Sequence, residues 1–183
     1  MRARVPTIFI NPPPGTFVAI DFETADNYPD SACAIGLVRV ENGRVSRRVR
    51  QLFRPPRDHV WYTHIHGLTL EHVQDKPRFA QAWPVLRQVF KGAAFLAAHN
   101  AGFDKRVLEA CCESAGVEPP ELPWVCTVRQ ARRTLGIRPA NLDNVARIMG
   151  IKLDHHEALS DAEACARIVM AARKLLVKSV SGR

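Results

Sequence analysis

Short apolar runs come first along this chain and amphipathic stretches follow. Residues 17–24, FVAIDFET, form an apolar run that carries two carboxylates near its end, Asp21 and Glu23. Strand side chains alternate with a period of two, so these acids share one face while Ile20, Phe22 and Thr24 share the other. After a loop-like stretch at 26–31, residues 32–40 are apolar enough for a second strand. Glu41-Asn42-Gly43 then supplies a hairpin turn into a third strand over 44–53. The pattern predicts an antiparallel meander. Its third strand reads as an edge, because arginines partly alternate with apolar residues there and discourage pairing with another chain.

Residues 54–76 contain Pro55, Pro56 and four histidines, His59, His64, His66 and His72, without periodicity. They predict a long loop with room for a short helical turn. Phe79, Trp83, Leu86 and Phe90 have the three-and-four spacing of an amphipathic helix. Residues 93–98 then read as a short buried strand. HNAGFD at 99–104 opens a helix to about residue 115, closed by Gly116. Residues 124–126 predict another strand, with Thr127 capping a helix to residue 135, and Asn141 opens a helix that Gly150 ends. From Ser160, the stripe Asp161, Cys165, Ile168, Val169, Ala172 and Leu176 predicts a long C-terminal helix. Strands followed by alternating strands and helices imply an α/β fold, a mixed sheet with helices against it. The proline run at 11–15 predicts an N-terminal arm over 1–15, which leaves one domain over 16–178 and a tail over 179–183.

The length of 183 residues suits one domain with a real core and one active site. The net charge of +8 favours a polyanionic partner. Arginine supplies much of it in two runs, Arg44 to Arg57 and Arg129 to Arg147, and a solvated face explains such runs as well as nucleic-acid contact does. The five cysteines lack CxxC spacing, four lie in apolar segments, and a reducing cytoplasm fits them best. No apolar run reaches the roughly 18 residues that span a bilayer, and no signal peptide is recognisable, so a soluble protein is expected.

Two carboxylates side by side repel unless they are protonated or bridged by a cation, so Asp21 and Glu23 suggest a hard divalent metal site. Solvated residues at a strand end are the plainer reading. Asp161 lies on the apolar stripe of the last helix, where an unpartnered carboxylate is costly. Asp104 sits near the start of the helix after a buried strand. Either acid alone reads as a helix cap, but with Asp21 and Glu23 they make a set of four. His156 completes it, a side chain suited to taking a proton from water near neutral pH, and its neighbour His155 competes for that role. The four loop histidines invite a zinc site, yet no cysteine accompanies them and their spacing matches no standard set.

DFE at 21–23, HNAGFD at 99–104 and HEALSD at 156–161 resemble the three exonuclease motifs of the DEDDh group, which includes the epsilon proofreading subunit of bacterial DNA polymerase III and ribonuclease T. The segments SACAIG at 31–36, IHGLT at 65–69 and AWPVL at 82–86 look like stand-alone bacterial members. The resemblance covers residues 17–172 and implies a ribonuclease H-like, mixed five-stranded sheet flanked by helices. It implies two divalent cations, magnesium or manganese, with Asp21 bridging them, Glu23 and Asp161 completing one site, and Asp104 holding the other mostly through water. The spacing from His156 to Asp161 then selects His156 over His155 as general base. Thr24, Ala25, His66 and Leu68 would border the terminal nucleotide by the same analogy. The activity implied is stepwise removal of nucleoside 5′-monophosphates from a 3′ end, single-stranded DNA being the expected substrate. An RNA-trimming exoribonuclease shares the motifs, and a non-catalytic nucleic-acid-binding module is the rival outside the enzymes. No membrane partner is expected, no polymerase- or clamp-binding segment is recognisable, and a homodimer stays open.

Overall fold

The strand at 17–24 sits at the centre of a six-stranded sheet in the computed structural model, which describes residues 8–9 and 13–181, with side chains over 13–177. Along the sheet the order is β1 (Ile8–Phe9), β6 (Trp124–Cys126), β5 (Phe95–Ala98), β2 (Phe17–Thr24), β3 (Ala32–Glu41) and β4 (Arg44–Leu52). The meander β2-β3-β4 is antiparallel, whereas β5, β6 and β1 run parallel to β2. Asn42 and Gly43 both have positive φ, 51° and 73°, which gives the two-residue hairpin the twist that suits its strands. The five strands expected are all present. Ile8–Phe9 adds a sixth at the edge, while the rest of the expected arm, residues 1–7 and 10–12, lies outside the described residues.

The alternation in β2 sorts its side chains between two layers. Val18, Ile20 and Phe22 face a core that includes Trp83 and Phe90, which follow from α3 (Phe79–Leu86) and its 3-10 extension, and Val107 and Leu108 of α4 (Ala101–Ser114). Phe17 and Ala19 face α7 (Ala158–Ser181), packing with Ala162, Cys165, Ala166 and Val169. Asp21 and Glu23 continue that second face past the end of the apolar contact. All five cysteines are free and buried. Among the described residues no helix is long and apolar enough to cross a membrane.

Several elements differ from the pattern read in the sequence. The 54–76 stretch contains two short helices, α1 (Thr63–His66) and α2 (Leu70–Val73). The helix expected over 79–90 breaks into α3 and a 3-10 turn, consistent with Pro84 inside it. Thr127 does not cap α5 (Thr127–Arg133), because its hydroxyl is engaged with His99 and the Ala98 carbonyl. In α6 (Leu142–Met149) Asn141 is the N-cap, accepting from Asn144 N–H at 3.2 Å, and Gly150 ends the helix at φ 64°. The last helix continues to Ser181, past the expected domain end.

Candidate active site

Strand β2 outruns its parallel neighbour: β5 pairs with it only through Phe17, Val18 and Ala19. Beyond Ala19 that edge of β2 opens into a crevice at the carboxyl ends of the parallel strands, the place where open α/β sheets bind ligands. Asp104, on the first turn of α4, is buried against that edge, and its Oδ1 accepts the Phe22 N–H at 3.1 Å. The backbone donor left free by the missing strand is thereby satisfied.

Carboxylate oxygens of Asp21, Glu23 and Asp161 lie within 4.8 Å of one another. Asp161 comes from the first turn of α7, and its buried Oδ1 has no hydrogen-bond partner among the described residues. Burial, followed by repulsion from its acidic neighbours, holds the Asp21 carboxyl well above its ordinary range. Glu23 is pushed up to about 8 by burial first and then by Asp161, Asp104 and Glu157. Asp104 and Asp161 are also raised, chiefly by burial. Hard oxygen donors, crowded like charges and an orphaned buried oxygen together fit magnesium or manganese, which would be held by Asp21, Glu23 and Asp161, with Asp104 behind them.

The segment before α7 is bound tightly to that acid. Asp161 Oδ2 accepts from the His156 backbone N–H at 3.2 Å and lies 2.9 Å from His155 Nδ1. The two imidazoles stack with centroids 3.9 Å apart. His155 is thus engaged with Asp161, whereas the His156 ring forms no hydrogen bond among the described residues. Arg50 Nε on β4 meets Glu157 Oε1 at 2.6 Å, and Glu157 Oε2 accepts the Ser160 N–H at 2.8 Å, so the histidine-bearing loop is tied to the sheet edge and to the helix start.

Asp21, Glu23, Asp161, His155 and His156 line a cavity of about 810 Å³. Its lining includes Thr24, Tyr62, Ile65 and His66, from the end of β2 and from α1 with the residue before it, and Val128, Arg132, Ala140 and Asn141, from α5 and the segment that leads into α6. His66 Nδ1 accepts from Leu68 N–H at 3.1 Å, which leaves Nε2 protonated, 3.2 Å from the Thr24 carbonyl oxygen. Burial lowers its pKa, so it sits as a neutral tie between β2 and α1. His99 is neutral likewise, pushed down to about 4 chiefly by burial, and links Thr127 Oγ1 at 2.8 Å to the Ala140 carbonyl at 2.9 Å. The segment that carries Tyr62 is braced: buried Asp26 takes Nε and Nη2 of Arg57, at 2.6 and 3.2 Å, and the Trp61 backbone N–H donates to the Ala25 carbonyl at 2.7 Å.

The four residues expected to border the nucleotide are placed differently in the structure. Ala25 is wholly buried in a small cluster with Cys33 and Val73, and Leu68 packs on that cluster, so neither side chain lines the cavity, whereas Thr24 and His66 do. The loop histidines do not converge: His59 contacts Asp26 at 3.0 Å and stacks on Trp61, His72 closes the capping box of α2, and His66 faces Thr24. Tyr62, Ile65, Phe103 and Arg132 also line the cavity without having been expected as site residues, Arg132 having stood out only as part of the second arginine run. The exposed apolar Ile65, 42% accessible, is the kind of signal that would have pointed there.

A family model described as "Exonuclease", of the RNase T type, matches residues 18–169. Exodeoxyribonuclease 10 of Escherichia coli K12 is 33% identical over 147 residues, covering 74% of this chain and 59% of its own length. The PolC-type DNA polymerase III of Thermotoga petrophila is 30% identical over 159 residues, 85% of this chain but only 12% of that polymerase. The chain therefore spans less than two thirds of these curated relatives. Among solved structures, exonuclease X in complex with 5′-overhanging duplex DNA aligns at a TM-score of 0.69, with 24% identity over 86% of this chain and 91% of that one. Escherichia coli exonuclease I with a dT13 oligonucleotide aligns at 0.78, with 16% identity over 92% of this chain and 43% of that one. Fold and site define an exonuclease-type domain of the ribonuclease H-like class. The chain belongs to the exonuclease family.

Proposed function

We propose that this chain is a divalent-metal-dependent 3′-to-5′ exonuclease that releases nucleoside 5′-monophosphates from single-stranded DNA. The observation that carries the reading is the close approach of Asp21, Glu23 and Asp161, within 4.8 Å, around a buried Asp161 oxygen without a partner. Bound among these acids, two magnesium or manganese ions would neutralise the scissile phosphate and acidify the attacking water. The residues supply the rest. Asp21, Glu23 and Asp161 hold the charge at the floor of the cavity, and Asp104 fixes the β2 backbone from behind. His156 lines the same cavity with its ring nitrogens disengaged and takes the proton from water, while His155 positions Asp161. Thr24, Tyr62, Ile65 and His66 form the wall for the terminal nucleoside. DNA is favoured over RNA by the 33% identity to an enzyme named exodeoxyribonuclease 10.

Incubation of single-stranded DNA and RNA of equal sequence with manganese tests this directly. Mononucleotide release from the DNA 3′ end, abolished by Asp21→Ala, is expected. RNA turnover far above DNA turnover would transfer the chain to the exoribonucleases. Strand binding without any release would make it a binding module.

A further inference from the structure

The two arginine runs have different fates in the fold. Arg48, Arg50, Arg54 and Arg57 of the first are engaged with Glu163, Glu157, Asp58 and the Asp26/Asp30 pair, all at 2.6 to 2.9 Å. In the second run, the side chains of Arg129, Arg132 and Arg133 of α5 form no hydrogen bond or ion pair among the described residues. Of these, Arg132 alone lines the active-site cavity, and it is the only lysine or arginine there.

The helix beneath it is fixed. Gln130 and Ala131 are wholly buried, and Thr127 is held by His99. Next to it on the wall, Asn141 uses its side-chain oxygen on the Asn144 N–H, so its amide hydrogens stay available. The acidic floor accounts for one phosphate, the one to be cut. A strand that reaches it carries a further phosphate on the 5′ side, close to a field that Asp21, Glu23 and Asp161 make negative. With its terminal nucleoside against Thr24, Tyr62, Ile65 and His66, the α5 side of the lining is the one that offers a cation to the remainder of the strand. A planar guanidinium with five donors and no internal partner suits a phosphate at that point.

We propose that Arg132 is the strand anchor of this cavity, binding the backbone phosphate immediately 5′ of the scissile one, with Arg129 and Arg133 extending the positive path outward along α5. The assignment rests on the exonuclease reading above.

The test pairs a binding measurement with a small substrate. Binding of a fluorescein-labelled oligothymidylate in calcium is followed across a salt series. Arg132→Ala should weaken it about tenfold at low salt and reduce the slope of log Kd against log salt by roughly 0.7, the contribution of one phosphate on a single strand. Arg132→Lys should keep the slope and lose part of the affinity. The p-nitrophenyl ester of thymidine 5′-monophosphate has no phosphate beyond the scissile one, so Arg132→Ala should turn it over within about twofold of wild type. Unchanged affinity and slope in Arg132→Ala would overturn the proposal. An equal loss on the ester would also overturn it, by moving Arg132 onto the scissile phosphate. Failure of the exonuclease reading is separate: wild type then releases nothing from either substrate, while the salt slope still reports whether Arg132 holds a strand.

Discussion

Gly36 and Ala158 meet backbone to backbone: a methyl group at Gly36 would lie 2.1 Å from the Ala158 carbonyl oxygen. Gly36 is also the cross-strand partner of Asp21. One glycine therefore lets the first turn of α7 settle directly on the sheet beside the acid pair, and Asp161, three residues on, reaches Asp21 and Glu23 as a consequence.

Replacing that glycine should separate the two halves of the site. Gly36→Ala is expected to destabilise the protein by about 1–3 kcal/mol, the usual range for overpacking a close contact. Activity should fall further than stability explains, because α7 carries Asp161 away with it. Manganese titration of activity at a temperature where both proteins are folded checks this: the variant needs at least tenfold more manganese. Unaltered manganese dependence would show that the contact does not set the site.

The acids also fix a pH dependence. Glu23 has a folded pKa of about 8, and Asp21, Asp104 and Asp161 are raised too, all above the unfolded carboxylate range of roughly 4. A raised acid binds more protons folded than unfolded between those values, so stability is full at low pH and falls as pH rises through the window. In chelator, the thermal midpoint should drop between about pH 5 and pH 8. Manganese should restore it at the upper end and do little at the lower. Glu23→Gln should raise the chelated midpoint near pH 8 by a few degrees and shrink the manganese-induced rise. The ion pairs of Asp26 and Glu163, whose pKa values are lowered, act below this window. A midpoint in chelator that climbed from pH 5 to pH 8 would contradict the argument.

How much of this could be read in advance depended on periodicity. Asp21 and Glu23 could be placed on one face because strand alternation is strict, and Asp161 could be placed beside them because an acid on an apolar helix stripe needs a partner. No comparable rule governs 54–76. Its fold depends on Asp26 gripping Arg57 and on Trp61 bonding to the Ala25 carbonyl, contacts between segments with no repeat in common, so the burial of Ala25 and the turn of Leu68 away from the cavity had no local signature. Thr127 shows the same limit, since its position suited a cap and only the nearness of His99 redirected its hydroxyl. Charge was the least informative: both arginine runs look alike in sequence, and only the placement of their acidic partners, Glu157 just before α7, Glu163 on it, and Asp26, Asp30 and Asp58 in the loops, separates the engaged run from the available one.

The histidine pair can be divided by substitution. His156 has φ 65°, a backbone region that asparagine tolerates and most residues do not, so His156→Asn removes the base with least backbone strain. It should lower kcat by about 10²–10⁴, the usual contribution of a general base, with manganese dependence nearly unchanged. His155→Asn should leave kcat within about tenfold and instead raise the manganese requirement, since His155 orients Asp161. Single-turnover rates at saturating manganese separate the two, and a larger loss of rate in His155→Asn would reverse the assignment.

Arg50 offers a test of how the base is held. Its pair with Glu157 is largely exposed, with side chains 43% and 30% accessible, so the bond itself should add little to stability. Its position is what matters, because Glu157 follows His156 directly and caps the start of α7 through Ser160. Arg48 makes a similar bond to Glu163, one and a half turns further along the helix and away from the loop. Arg48 therefore serves as the comparison, with Glu163 still held by Arg167 when Arg48 is removed. Arg50→Ala should lower kcat severalfold with a thermal midpoint close to wild type, while Arg48→Ala should shift neither. Raising the salt should weaken wild type toward Arg50→Ala, since an exposed pair is screened. Equal effects of the two substitutions on kcat would mean that the edge-strand arginines act only through the field they share, and not by holding the loop that carries His156.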